Sequence, residues 1–428
     1  MIYPAHHIKY VTLVILLALM LFSTSHVSMG QEETKAETVT LKECITIAFE
    51  NNLQLAAARN SLGTAEADRI KSSLLFPSNL KLNSIIGSRN APSPTGRHTD
   101  YAFSLSQEFQ VYGQRRKRIK VSDKMIERVT FEIADIERDV IATVKTNFYE
   151  ALTALEIVKL REYVESIFQK LWDATRERYN AGAISVLELN SIHIGYGQAS
   201  QQLLVAKSNY QNSLLNLKLL LGKPREEALH IEGKLSYEKL QTSIEDLLSS
   251  AYKTRPDLKA IGFEKERASH EISLRKAEII PNPSVSGFFS REGGEEDIVG
   301  GQVSFSIPVW DRKQPELKRA RTAKETASIN IKKKRLEIQT EVETAYRTFM
   351  AVKGGIAIYT DEIMPQVDES LKLNEISYKE GAINFIEFLT VQKNLLATKA
   401  AYLQALLDYN SAIINLETVT GAKLITSD

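Results

Sequence analysis

The stretch RYNAGAISVLEL at residues 178–189 returns, nearly two hundred positions later, as SYKEGAINFIEF at 377–388. Each is a glycine-centred turn that leaves through two apolar residues and a glutamate. At a constant offset of 199, Tyr179 meets Tyr378, Gly182 meets Gly381 and Glu188 meets Glu387; farther on, Ala206, Tyr210, Asn216 and Gly222 meet Ala405, Tyr409, Asn415 and Gly421. Residues 179–222 keep 11 identities in 44 ungapped positions, where average residue frequencies give about 3 by chance. Upstream, Leu41, Ala48, Phe49 and Leu55 resemble Ile244, Ala251, Tyr252 and Leu258, the segment 144–148 resembles 342–346, and Pro77 fits Pro281. The chain is therefore read as two copies of a unit of roughly 200 residues, far beyond the period of a solenoid. The first copy is taken as 31–230 and the second as 231–428.

Bulk properties exclude little else. Among 428 residues the net charge is +1, which points to neither nucleic acid nor an acidic ligand. Lys9 precedes an apolar run, Val11–Phe22, and Ser28 and Gly30 stand at −3 and −1 of a cleavage site. Residues 1–30 thus read as a secretory signal peptide, the run being shorter than the roughly 20 residues of a spanning helix. The single cysteine, Cys44, permits no disulfide within the chain, and no cysteine follows the apolar run to take a lipid.

Each copy runs helix, strand, strand, long helix, turn, helix. In the first copy, alternating apolar residues predict strands at about 79–90 and 101–109, separated by a Pro/Gly loop at 91–100. In the second they predict strands at about 284–291 and 298–309 around a Gly/Glu loop. Such strands have the length needed to cross an outer membrane when tilted. Four strands cannot close a barrel and open edges are not tolerated in lipid, so three chains giving twelve strands is the expected solution. Proline-free helical patterns predict hairpins at 114–221 and 315–420, with Pro365 kinking or breaking the second. A helix of roughly 65 residues would extend about 100 Å and needs partner helices along its length.

Gly182 and Gly381 mark the hairpin turns, where glycine supplies the positive φ of a helix stop. Ser185 and Asn384 are suitable N-caps, with Glu188 and Glu387 at capping-box spacing. Two readings of those glutamates stay open. Either each closes its own helix, or in a ring of chains they face a narrow opening and attract cations. The basic runs GQRRKRIK (113–120) and KKKR (332–335) lack adjacent stacking aromatics and read as solvated helix faces rather than nucleic-acid contacts. No HExxH, GxSxG or GxGxxG occurs, and His98, His193, His230 and His270 are scattered. Neither an enzyme, a cofactor nor a protein-held metal is expected.

In this order the features resemble the TolC family of outer-membrane efflux channels. The resemblance rests on the duplicated unit, the paired tips, and the strand-to-helix junctions SLSQEFQVYGQRRKRIKVSD (104–123) and SFSIPVWDRKQPELKRARTA (304–323). Gly113, Arg115, Pro308, Asp311 and Arg312 carry the junction pattern. The resemblance implies a mostly α protein with a small β part. Its homotrimer would form a twelve-stranded outer-membrane barrel, four strands per chain, continued by a coiled-coil tube across the periplasm. An equatorial girdle would lie near 224–245. The tips, with Gly182, Ala183, Gly381 and Ala382, would meet a periplasmic adaptor and through it an inner-membrane pump of RND or ABC type. The channel would conduct passively, in efflux or type I secretion. Family members place acidic residues after the second hairpin turn; Glu387 holds the first such position, Thr390 the next, and Glu188 is its counterpart in the first copy. The YGQRRKRI segment is similar to the heavy-metal-efflux branch. A periplasmic coiled-coil adaptor or an exported scaffold is the rival reading; the adaptor would want lipoyl-like and small β-barrel domains and a single hairpin, and the scaffold would not need the alternating strands.

Overall fold

The computed structural model describes residues 37–90, 96–293 and 296–424; the signal peptide expected at 1–30 lies outside them. The chain enters through β1 (Glu37–Val39) and two helices, α1 (Leu41–Asn51) and α2 (Leu53–Ser73). Thr40 and Glu43 form a capping box at the head of α1. The first helix expected in this copy is broken in two at Asn52, whose Oδ1 accepts the N–H groups of Gln54 and Leu55 at 3.0 and 3.1 Å. Its side chain competes with the backbone and starts a new helix. Its Nδ2 donates to the Leu220 carbonyl at 2.9 Å, fixing the break against the far end of the first hairpin.

The strands β2 (Lys81–Asn90) and β3 (Arg97–Glu108) lead into α3 (Gln114–Asn180) and α4 (Val186–Leu220). After β4 (Leu229–Ile231), which straddles the boundary between the copies, the second copy follows as α5 (Ile244–Thr254), α6 (Pro256–Ala277), β5 (Ser284–Glu292), β6 (Glu296–Ser304) and α7 (Gln314–Ile358). A π-helical turn at Tyr359–Ile363, then α8 (Met364–Lys379) and α9 (Phe385–Thr420), complete it. At 67 residues, α3 is about 100 Å long. Helices α2, α3, α6 and α7 pack in that order below the sheet; α4 packs on the rest of α3, and α9 on α7, α8 and α3.

Two local expectations differ. The loop expected at 91–100 is shorter, because β3 begins at Arg97, paired with Asn90. The strand expected to reach 309 stops at Ser304, whose partner Ser284 is the first residue of β5; Pro281 and Pro283 leave no earlier rung to pair. At Pro365 the α-helix is interrupted, as expected, by the π-helical turn Tyr359–Ile363 rather than by a loop. Pro365 lacks an N–H for the i−4 carbonyl, and the turn before it widens so that the Met364 N–H reaches back to the Tyr359 carbonyl. The parallel pair β1–β4 adds an element that the sequence pattern does not reveal, since three residues are too few to show a period.

Two apolar cores repeat the sequence match in space. One gathers Ala48, Leu55, Val144, Phe148 and Leu217; the other gathers Ala251, Leu258, Val342, Phe349 and Leu416. Beside each, a C-terminal glycine in left-handed conformation meets the break between short helices. Gly222 lies against the Asn51 carbonyl, and Gly421 against Thr254.

The sheet order is β2-β3-β5-β6, antiparallel throughout. Its register puts Leu82, Ile86, Phe103, Leu105, Phe289, Val299 and Val303 on one face, and Asn83, Ser104, Ser106, Ser286, Ser290 and Gln302 on the other. Along the central strands β3 and β5 the apolar face is the more exposed one, Phe103 at 43% against Ser290 at 8%, while the edge strand β2 is exposed on both faces. A soluble sheet does the reverse. Among the described residues no helix is long and apolar enough to cross a membrane.

Candidate functional site

The tips form because the chain supplies the same stop signal twice. The N–H of Ala183 bonds to the Arg178 carbonyl and that of Gly182 to the Tyr179 carbonyl, both at 2.9 Å. Ala382 and Gly381 bond to Ser377 and Tyr378 in the same way. Gly182 and Gly381 hold φ of 73° and 74°, so each α-helix closes in a glycine-centred C-terminal motif. Ala183 and Ala382 are both exposed beside them.

The next helices start differently. Asn384 Oδ1 accepts the Glu387 N–H at 2.9 Å while the Asn384 N–H donates to Glu387 Oε2 at 3.1 Å, a complete capping box. Ser185 accepts the Glu188 N–H at 3.2 Å, without the return bond. Glu387 thus serves its own helix through one oxygen, and its side chain is exposed. Thr390 lies one turn on and donates to the Ile386 carbonyl at 2.8 Å. Glu188 is half-buried and sits close enough to Tyr378 to raise its hydroxyl pKa.

Tyr378 is where the two tips meet. Burial pushes its phenol up, Glu188 adds to that, and the Arg178 charge and a hydrogen bond with Thr175 oppose it. All three of those groups belong to the first hairpin. On the other side, Tyr378 packs on Phe388 with ring centroids 4.9 Å apart. Phe385 and Phe388 share a core with Ile167 of α3 and Ile192 of α4. Above it, buried Asn374 donates to the Phe388 carbonyl at 3.1 Å and to Gln392 Oε1 at 3.2 Å. Sequence reasoning names the glutamates and misses this aromatic lock. Its signal is present: phenylalanines at 385 and 388 replace Val186 and Leu189 of the first copy.

The junction residues come together at the other end. Gly113 precedes α3 with φ 66°, and Lys313 precedes α7 with φ 61°. A non-glycine residue in that region needs support, and the Lys313 N–H finds it by donating to Asp311 Oδ1 at 2.9 Å. That bond also holds the Asp311 carboxyl below its usual range. Arg115 donates to the Ser73 carbonyl at 2.9 Å and Gln114 to that of Ala277 at 3.2 Å, locking α3 between α2 and α6. Arg312 is exposed, its N–H donating to Gln314 Oε1 at 2.8 Å; Pro308 is half-buried in the segment before it. Among the described residues no group of three or more His, Cys, Asp or Glu is placed to hold a metal ion.

A sequence profile of the family described as outer membrane efflux protein matches residues 44–223 and 247–422. The cobalt-zinc-cadmium resistance protein CzcC of Cupriavidus metallidurans is 21% identical over 388 residues, 90% of this chain and 91% of its own. The probable outer membrane lipoprotein SilC of Salmonella typhimurium is 20% identical over 390 residues, 86% of this chain and 81% of that one. A membrane protein from Pseudomonas aeruginosa has a similar fold, with a TM-score of 0.74 at 17% identity, covering 89% of this chain and 92% of that one. CusC superimposes with a TM-score of 0.71 at 16% identity, over 90% and 92% of the two chains. The open-state MtrE outer membrane channel of Neisseria gonorrhoeae does so at 0.67 and 19% identity, over 90% and 89%.

Proposed function

The chain belongs to the outer membrane efflux protein family, and on that premise we propose that three copies close a twelve-stranded barrel above a helical exit duct. One observation carries this reading. The four-stranded sheet turns its apolar face outward and leaves β2 and β6 unpaired at its edges. Those edge strands run in opposite directions, so β6 of one copy can pair antiparallel with β2 of the next without changing register sense. Closure removes the edges that lipid forbids.

The duct works by passive conduction: no group in it performs chemistry, and the driving force comes from an inner-membrane pump acting through a periplasmic adaptor at the hairpin tips. Glu387, with Thr390 beside it and Glu188 near Tyr378, forms the constriction at those tips. Three exposed carboxylates converging on one axis concentrate cations and repel anions. The relative named for cobalt, zinc and cadmium resistance supports divalent metal cations as cargo. The leader at 1–30 directs export.

Electron microscopy with mass determination on the detergent-extracted protein tests the assembly. A three-fold tube with a helical barrel on the order of 100 Å is expected; a monomeric rod would overturn it. Cargo is tested by deleting the gene and measuring cell-associated zinc, cobalt and cadmium. Unchanged accumulation with an intact trimer removes the metal assignment and leaves the channel standing.

A further inference from the structure

The two basic runs that stand out in the sequence have different fates. In 332–335, Lys334 reaches Asp257 at 3.4 Å and Glu337 at 3.2 Å, Lys333 reaches Glu337 at 3.5 Å, and Arg335 lies over the Tyr252 ring at 5.6 Å. Two of the four cations in that run, Lys333 and Lys334, are thus paired with carboxylates. The run at the head of α3 differs. Arg116, Lys117 and Lys120 form no ion pair among the described residues, and Arg115 uses its Nε on a backbone carbonyl. From Lys124 downward the same helix pairs its charges, with Glu127, Glu266 and Glu132 among the partners.

The placement is also contrary to helix electrostatics. The first turn of a helix favours acidic residues and disfavours cations, yet α3 has no acidic residue in its first turn. The head of α7 does carry an acid in its first turn, Glu316, but Lys318, Arg319 and Arg321 after it are exposed and form no ion pair among the described residues. Successive residues step about 100° around a helix, so cations cover most of the circumference and some face outward at either head. Directly above them, where the strands end, Trp310 is 88% exposed and Tyr112 60%. Exposed Trp and Tyr beside a cluster of Lys and Arg at the end of an apolar surface is the pattern of a membrane–water boundary.

We propose that the heads of α3 and α7 form a basic collar that binds anionic phospholipid headgroups in the periplasmic leaflet of the outer membrane. The inference rests on the barrel reading above, which sets these residues at the depth of that leaflet. Each cation near an anionic surface contributes roughly fivefold to binding, enough for several together to gather anionic lipid around the duct. The collar would fix the depth of the barrel and its angle to the membrane, a role that unpaired cations serve and paired ones do not.

The test uses the full-length mature trimer in vesicles of phosphatidylcholine and phosphatidylglycerol. The chain has 2 tryptophans, so Trp172→Phe leaves Trp310 as the sole reporter at the collar. Brominated phosphatidylglycerol should quench Trp310 severalfold more effectively than brominated phosphatidylcholine, with the preference shrinking as salt rises. Combined Arg116→Gln, Lys117→Gln, Lys120→Gln, Arg319→Gln and Arg321→Gln should bring the ratio close to one while quenching by phosphatidylcholine persists. Equal quenching by the two lipids before those changes would overturn the collar and leave the barrel intact. No quenching by either would overturn the barrel placement itself. Native mass spectrometry of the unaltered trimer titrated with each lipid gives a second reading that no substitution can confound; equal retention of both also overturns the proposal.

Discussion

Asn384 and Glu387 hold each other through two reciprocal hydrogen bonds, 2.9 Å from the Glu387 N–H to Asn384 Oδ1 and 3.1 Å from the Asn384 N–H to Glu387 Oε2. The residue expected at the constriction is therefore also a structural residue, and its two roles are separable. Glutamine at the same position can keep the cap without the charge. Glu387→Gln should lower cation preference in planar bilayers with an unchanged melting temperature, whereas Glu387→Ala should lower both. Unaltered ion selectivity in Glu387→Gln removes the carboxylate from the constriction.

Phe388 is 1% exposed and packs between Tyr378 and the first hairpin. Phe388→Ala removes a buried aromatic, a change of about 3–5 kcal/mol where the site does not collapse. The loss is local to the tips, so the expected outcome is faster amide exchange there and a larger single-channel conductance, with the barrel end unaffected. Slower or unchanged exchange at residues 374–392 would mean that the aromatic contact does not hold the hairpins together.

Arg255 is 3% exposed, bonds to both oxygens of Asp257, pairs with Glu341, and donates to the Val419 carbonyl at 3.2 Å. Burial alone would raise the Asp257 carboxyl; the hydrogen bond and charge of Arg255, with Lys334 and Arg138 beyond, override it and hold it at about 2. A carboxyl depressed in the folded state stabilises fully above its unfolded value of 3.8, and that stabilisation disappears as pH falls toward about 2. Melting temperature should accordingly fall between about pH 4 and pH 2, and Arg255→Ala should flatten that portion of the curve. The same substitution should destabilise at neutral pH by about 3 kcal/mol, the low end for a broken buried pair because Glu341 keeps some solvent.

Glycine substitutions should rank by surroundings rather than by φ. Gly182, Gly381 and Gly222 all have positive φ, but a Cβ at the tips meets nothing within 4 Å, while at Gly222 it would collide with the Asn51 carbonyl oxygen. Gly182→Ala and Gly381→Ala should cost only the left-handed strain, about 1–2 kcal/mol. Gly222→Ala must also displace backbone and should lower trimer yield sharply. Equal effects in denaturant titration would contradict the packing at the α1–α2 break.

The sheet faces give the sharpest contrast, because adjacent residues point opposite ways. Phe103 lies on the apolar face and Ser104 on the polar one. Phe103→Arg should destabilise the barrel by about 2–4 kcal/mol, as cations do on a lipid-facing surface, whereas Ser104→Arg should fold and alter conductance. The heat-stability of the trimer in gel electrophoresis distinguishes them; the reverse order would mean the faces are assigned backwards.

Much of this molecule is local and periodic, and that part the sequence determined by itself. Glycine and its following N-cap set both hairpin turns at Gly182 and Gly381, since positive φ and side-chain capping act within a few residues. Alternation of Tyr101, Phe103 and Leu105 with small residues marked a strand, since side chains on a strand switch face at every step. Where local cues compete or are too short, the tertiary structure decided: Asn52 can cap a new helix locally, but its break is held in place by its bond to the Leu220 carbonyl 168 positions away, and β1 finds β4 across the length of the first copy. Arg255 has Asp257 two residues on and Tyr378 has Phe388 ten residues on, but Glu341 and Val419, and likewise Thr175, Arg178 and Glu188, come from distant helices, so no window of sequence contains either cluster whole. Neither the pairing of β3 with β5 nor the contact of one tip with the other follows from periodicity. Both depend on where long helices finally pack, and packing is settled by the burial of cores whose halves lie far apart in the chain.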